Sequence, residues 1–203
     1  MRILYFDCFA GAAGDMILGA LLDAGLPFDE LKRALGSLAV EGWDVSVDRV
    51  LKTGVTATKF RVLEHAQTGA GLRAPGSDHQ HGHHHHHYSL KQIEAAIGRS
   101  ALPDTGKARA IAMFGRLAEV EADIHGMPID QVHLHEVGAI DSIIDIVGSV
   151  FALEWFAADR VVVSPLNVGG GMVRSAHGVF PVPAPATVRL SGRAPVYSSG
   201  IQA

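Results

Sequence analysis

Three groups of residues in this chain have the types and spacing to hold ions. The first is Asp78-His79-Gln80-His81-Gly82-His83-His84-His85-His86-His87-Tyr88, which carries seven of the 12 histidines. Neutral imidazole is a borderline ligand that suits Ni²⁺, Zn²⁺ and Cu²⁺. A tract without fixed geometry binds with real affinity and little selectivity. Its internal position, directly before a capped helix, favours metal capture by His83, His84, His85, His86 and His87 over a purification tag or a solvated spacer.

The second group is His133-Leu134-His135-Glu136 with Asp141 and Asp145. Residues two apart in an extended segment face the same way, so His133 and His135 can share a site. Asp141 and Asp145 are i, i+4 neighbours on one helix face, at the border of its apolar stripe. Two carboxylates so close repel unless a cation lies between them or one binds a proton. A divalent metal satisfies that requirement. The alternative is local: Asp141 compensates a helix dipole and the two histidines hydrogen-bond nearby.

The third group is a pair of glycine-rich turns, each after a strand. Phe6-Asp7-Cys8-Phe9-Ala10-Gly11-Ala12-Ala13-Gly14-Asp15 runs into a helix, and Asn167-Val168-Gly169-Gly170-Gly171 follows a valine run. Free N–H groups at a helix start can take a phosphate, which makes Gly11, Gly14 and Asp15 candidates, with Gly169, Gly170 and Gly171 offering similar donors. The first turn lacks the Gly-Lys-Ser/Thr ending of a Walker A loop and is no dinucleotide fingerprint. Asp7 and Asp15 either hold a metal or cap the turn and the helix, and Cys8 is either a soft ligand or buried packing.

The elements that must position these groups alternate. Ile3–Phe6 reads as a buried strand. Asp15 stands at the N-cap of a helix over Met16–Ala24, and Phe28–Leu38 forms another. Val45 and Val47, then Phe60 and Val62, alternate as strands of a half-buried sheet. Residues 65–88 form a long, disordered His-rich surface loop, after which Ser89 and Gln92 make a capping box. A helix spans Asp104–His125 with Ile111, Phe114, Leu117 and Ile124 inward. Ile140, Ile143, Ile144, Val147 and Phe151 form the stripe of the next helix. Val161–Val163 is a strand, Ala186–Ser191 a short helix and Pro195–Ser198 a last strand. The expected class is α/β, or mixed α+β, with an open sheet packed by helices.

Composition narrows the function. The chain has 203 residues, 48% hydrophobic and 19% charged, which is globular and long enough to bury a core. A net charge of −4 without a basic run argues against nucleic acid. No apolar stretch approaches the roughly 20 residues that span a bilayer. One cysteine fits a reducing compartment, so the expected location is the cytoplasm.

Taken together, the Phe6–Met16 segment, the internal polyhistidine, His133-Leu134-His135-Glu136-Val137-Gly138-Ala139-Ile140-Asp141-Ser142-Ile143-Ile144-Asp145-Ile146-Val147-Gly148, the Asn167–Gly171 turn, Ala176-His177-Gly178 and Pro181–Ala186 resemble the LarC family, the nickel-insertion proteins of nickel-pincer cofactor synthesis. The resemblance covers almost the whole chain, in order. It implies a cyclometallase of the lyase class that inserts nickel into pyridinium-3,5-bisthiocarboxylic acid mononucleotide, with CTP and Mg or Mn. The product serves lactate racemase. It also implies that residues 1–203 are the amino-terminal part, and that a carboxy-terminal domain tied to CTP and to homo-oligomer formation is missing. Forming a nickel–carbon bond releases a ring proton to a base, for which His135, Glu136, Asp141 and His177 are candidates. His133, His135 and Glu136 are then expected to touch the metal, with Asp141 and Asp145 as further ligands or orienters. The alternatives are a nickel or zinc storage and delivery protein without catalysis, and a divalent-metal phosphohydrolase built on Asp7, Asp15 and the histidine–carboxylate cluster.

Overall fold

The leucines after the first glycine turn and the isoleucines after Gly138 mark two apolar stripes, and these stripes face each other. In a computed structural model, which describes residues 1–38, 40–52, 54–64, 88–132, 134, 138–175 and 178–200, the order is β1 (Ile3–Phe6), α1 (Gly14–Asp23), α2 (Phe28–Gly36), β2 (Trp43–Lys52), β3 (Val55–Glu64), α3 (Leu90–Arg99), α4 (Asp104–His125), α5 (Ile140–Phe156), β4 (Arg160–Val163), β5 (Leu166–Asn167), β6 (Met172–Ser175), β7 (Gly178–Pro181), α6 (Pro185–Ser191) and β8 (Val196–Tyr197). The expected mixture of helices and strands is present. The strands group in pairs: β1 with β4 and β5 with β8 are parallel, while β2 with β3 and β6 with β7 are antiparallel. Among the described residues, no helix is long and apolar enough to cross a membrane.

One core joins the five longest helices to the β2–β3 hairpin. Leu18 and Leu21 of α1, Leu31 and Leu35 of α2, Ile97 of α3, Phe114 of α4 and Ile143, Ile144 and Val147 of α5 are all buried, and Phe60 reaches them from β3. In the hairpin Val45 pairs with Val62 and Val47 with Phe60, as the alternation requires. Two glycines set the closest approaches. A Cβ on Gly19 would lie 2.5 Å from the Thr58 carbonyl oxygen, and one on Gly148 would meet Leu18 at 3.2 Å. The helix α1 therefore lies directly against both β3 and α5.

Local signals place the helix ends. The Ser89 hydroxyl accepts the Gln92 N–H at 3.4 Å and the Gln92 side chain accepts the Ser89 N–H at 2.9 Å, which is the expected capping box. The Tyr88 N–H donates to the Gly138 carbonyl at 2.9 Å, and the Gly138 N–H to that of Leu134 at 2.7 Å. These bonds tie the start of α3 to the segment before α5.

Three expectations are corrected. The N-cap of α1 is Ala13, and Asp15 lies within the first turn. The inward face of α4 centres on Ala110, Phe114 and Ala118, with Ile111 and Leu117 only partly buried beside it. Ala110 and Ala118, one turn on either side of Phe114, let α4 come close to its neighbours, so Ile111 and Leu117 flank the contact line. Strand β1 is not buried on both faces: Leu4 and Phe6 reach the core, while Ile3 and Tyr5 stay exposed. The His-rich segment 65–87 lies outside the described residues.

The Gly19 contact gives a direct test. Gly19→Ala places a methyl against backbone that cannot step aside, and should cost about 1–3 kcal/mol in chemical denaturation.

Candidate functional site

The first turn leaves β1 at Phe6 and enters α1 at Gly14, where it meets α5. Gly14 abuts Asp145 so closely that any Cβ there would overlap the aspartate side chain. The Asp15 backbone N–H donates to the Asp145 carboxylate, whose Oδ1 is buried and without a hydrogen-bond partner. The fold thus joins residues from two separate groups: Asp15 from the glycine turn, and Asp141 and Asp145 from the histidine–carboxylate cluster. Asp141 is exposed in the first turn of α5, and its Oδ1 accepts the Ser142 N–H at 2.7 Å.

Burial, then the charge of Asp15, then that of Asp141, raise the Asp145 pKa from 3.8 to about 6, against the lowering effect of the Asp15 N–H. A raised carboxyl pKa means that the ionised form lacks a counter-charge. An unpartnered oxygen flanked by two further carboxylates is suited to a cation. Among the described residues, no group of three or more His, Cys, Asp or Glu is placed to hold a metal by itself. The expected donors His133, His135 and Glu136, with His177 and His83 to His87, lie outside the described residues; Leu134, between the two imidazoles in sequence, is buried.

The same helix start bears on anion binding. The Met16 N–H donates to Asp15 Oδ1 at 2.9 Å, and the Asp15 N–H is taken by Asp145. A carboxylate thus takes the Asp15 N–H that was expected to be offered to a phosphate, and another takes the Met16 N–H beside it, so negative charge already occupies this helix start.

The two glycine turns are neighbours. Asn167 joins them: its Nδ2 donates to the Phe9 carbonyl at 2.7 Å and to the Ser199 hydroxyl at 2.8 Å, and its Oδ1 accepts the Gly169 N–H at 3.2 Å. Its backbone N–H donates to the Cys8 carbonyl at 3.3 Å. Gly11 and Gly169 have φ of 88° and 72°, the left-handed region where glycine avoids a steric cost. Between the turns and α6 lies a cavity of about 600 Å³, lined by Gly11, Ala12, Asn167, Gly169, Thr187 and Ser191 among others, with no charged side chain among the described residues. Gly170 approaches Ser198, and the Gly171 carbonyl accepts the Val182 N–H at 3.0 Å. That volume is in the range of small-molecule sites.

The sequence marks Asn167 as the start of the second turn but gives its side chain no role. A polar side chain at a strand end, directly before three glycines, is the available signal. Asp7 is exposed, whereas Cys8 is buried and its N–H donates to Ser164 Oγ at 2.8 Å, which fits packing.

Known proteins match this chain along its full length. The family model described as "Nickel insertion protein" matches residues 4–203. The chain is 44% identical over 202 residues to the pyridinium-3,5-bisthiocarboxylic acid mononucleotide nickel insertion protein of Desulfitobacterium hafniense, covering 100% of this chain and 46% of that protein. A putative nickel insertion protein of Synechococcus is 44% identical over 206 residues, covering 100% and 49%. A Geobacillus kaustophilus protein bearing the same name as the first is 43% identical over 199 residues, covering 98% and 47%. The chain spans about half the length of the curated relatives it matches. No solved structure matches it.

Two predictions rest on this geometry. Because the folded Asp145 keeps its proton up to about pH 6 while the unfolded chain loses it near 3.8, the metal-free protein loses stability as pH rises through that window. Asp145→Asn should therefore melt at a higher temperature than the parent at pH 7.5 and at the same temperature below pH 4, read by thermal denaturation. Asn167→Ala leaves the Phe9 carbonyl and Ser199 hydroxyl without this partner and should cost about 1–3 kcal/mol in urea titrations.

Proposed function

Because the chain belongs to the nickel insertion protein family, we propose that it takes up Ni²⁺ and inserts it into pyridinium-3,5-bisthiocarboxylic acid mononucleotide. The observation that carries this reading is the meeting of Asp15, Asp141 and Asp145 at the end of the turn whose residues 10–12 line the cavity, with Asp145 Oδ1 buried and unpartnered. In this reading nickel is cargo. The aspartates attract it, and His133, His135 and Glu136 complete the donor set, since imidazole and carboxylate together accept Ni²⁺. The cavity receives the nucleotide, with Gly11 and Gly169 to Gly171 close to its phosphate. Residues 10–12 line the cavity and residues 14 and 15 bear on the aspartates, so a single turn would hold metal and organic ring in register.

Insertion replaces a ring hydrogen by nickel, and the ring carbon keeps the electron pair while the proton leaves to a base. His135, Glu136, Asp141 and His177 are the candidate bases. Dependence on CTP with Mg or Mn, homo-oligomer formation and delivery of the product to lactate racemase complete the proposal. The CTP requirement and oligomer contacts belong to the half of the relatives that this chain does not span.

The test begins with nickel titration of a chain whose His83, His84, His85, His86 and His87 are replaced by serine. Asp141→Asn with Asp145→Asn in that background should weaken Ni²⁺ binding roughly 10- to 100-fold. Unchanged affinity would remove the aspartates from the metal site. Deleting residues 79–87 separates the enzyme from a store: in a chain continued by the half that the relatives carry beyond it, nickel incorporation into the dithiolated nucleotide at saturating Ni²⁺ with CTP should persist, whereas a storage protein would lose its capacity.

A further inference from the structure

The glycine-turn cavity holds hydroxyl groups whose hydrogen-bonding capacity the fold leaves open. Leu166, Val173 and Val182 contribute apolar wall, and among the described residues only Asn167, Thr187 and Ser191 add polar side chains to it. The Asn167 amide is committed, since its Nδ2 donates twice and its Oδ1 accepts the Gly169 N–H. The Ser191 hydroxyl donates to the Thr187 carbonyl at 2.7 Å, which uses its hydrogen but leaves lone pairs to accept. The Thr187 hydroxyl has no partner among the described residues, so it can donate.

Thr187 and Ser191 are i, i+4 neighbours on one face of α6, about 6 Å apart along its axis. Arg189, midway between them in sequence, lies on the other side of the helical turn and meets Asp123 of α4 at 3.3 Å. The helix packs against α4, so both hydroxyls ride on an element held from elsewhere in the fold. No charged side chain lines the cavity among the described residues. Burying an anion against such a wall costs far more than burying a hydroxyl that finds a partner. The wall beside α6 therefore suits a neutral group that shows both C–H and O–H surface.

Resting on the reading that the cavity receives the mononucleotide, we propose that Thr187 and Ser191 recognise its sugar. The sugar is the part of a mononucleotide that carries neutral hydroxyls on a carbon frame. Thr187 donates to one sugar hydroxyl and Ser191 accepts from its neighbour, while the apolar wall covers the C–H surface. The phosphate and the two thiocarboxylates are anionic and lie on the side of the glycine turns, away from α6. Both residues determine specificity and touch no reacting atom. A site built to bond a hydroxyl discriminates against a ligand that lacks it, because the protein group is then left unpaired.

Calorimetric titration of the 203-residue chain with two probes decides it: the mononucleotide with its ribose intact, and the same compound with a 2′,3′-dideoxy sugar. The parent chain should bind the first about tenfold more tightly than the second. Thr187→Val, and separately Ser191→Ala, should lower affinity for the first about 3- to 10-fold and leave the second unchanged. Thr187→Ser should keep the parent's preference. An equal loss for both probes would overturn the assignment, because the residue would then only shape the wall, and so would no loss for either. In those outcomes the cavity remains the nucleotide site. A parent chain that binds neither probe would instead overturn that reading of the cavity, and this assignment with it.

Discussion

The absence of a side chain at Gly14 is the constraint on which the site depends. A methyl there could not coexist with Asp145, and without that approach the Asp15 N–H could not reach the carboxylate. The contact is made where α1 crosses α5, and the crossing is set further along by Gly148 against Leu18. Packing of one apolar stripe on another thus brings three carboxylates together at the end of the same interface. The core provides the energy, and the acidic cluster is a cost that the core sustains. A protein selected only for stability would not keep an unpaired carboxylate oxygen there.

The second constraint is polar. Asn167 replaces the missing side chains of a glycine-rich region with a set of fixed hydrogen bonds, joining the turn after β1 to the turn after β5 and to Ser199. Glycine permits the backbone shapes, but it does not choose among them, because its conformational freedom is the largest of any residue. One buried amide makes that choice for both turns. The cavity wall is consequently backbone held by a side chain, and its shape depends on a residue that need not touch a ligand.

Local rules carry well through this sequence. The Ser89–Gln92 capping box, the limits of α4 and the stripe of α5 are all legible because each is decided within a few residues. The face of α4 is not, since Ala110 and Ala118 are buried by the approach of other helices and not by their own hydrophobicity. For the same reason Asp15 reads as a cap: its partner, Asp145, is far away in sequence and only the α1–α5 crossing reveals it. The paired glycine turns were each weak signals, and their adjacency depends on Asn167. The valines of β4 form the expected strand, and among the described residues Val161 and Val163 stay half exposed.

The hydrogen bond from Tyr88 to Gly138 has a consequence of scale. Covalent geometry keeps His83 within about 18 Å of Tyr88, whatever path the intervening residues take. Gly138 is itself two residues from Glu136 and five from His133. That one backbone bond thus anchors both the start of α3 and the approach to α5 at a single point.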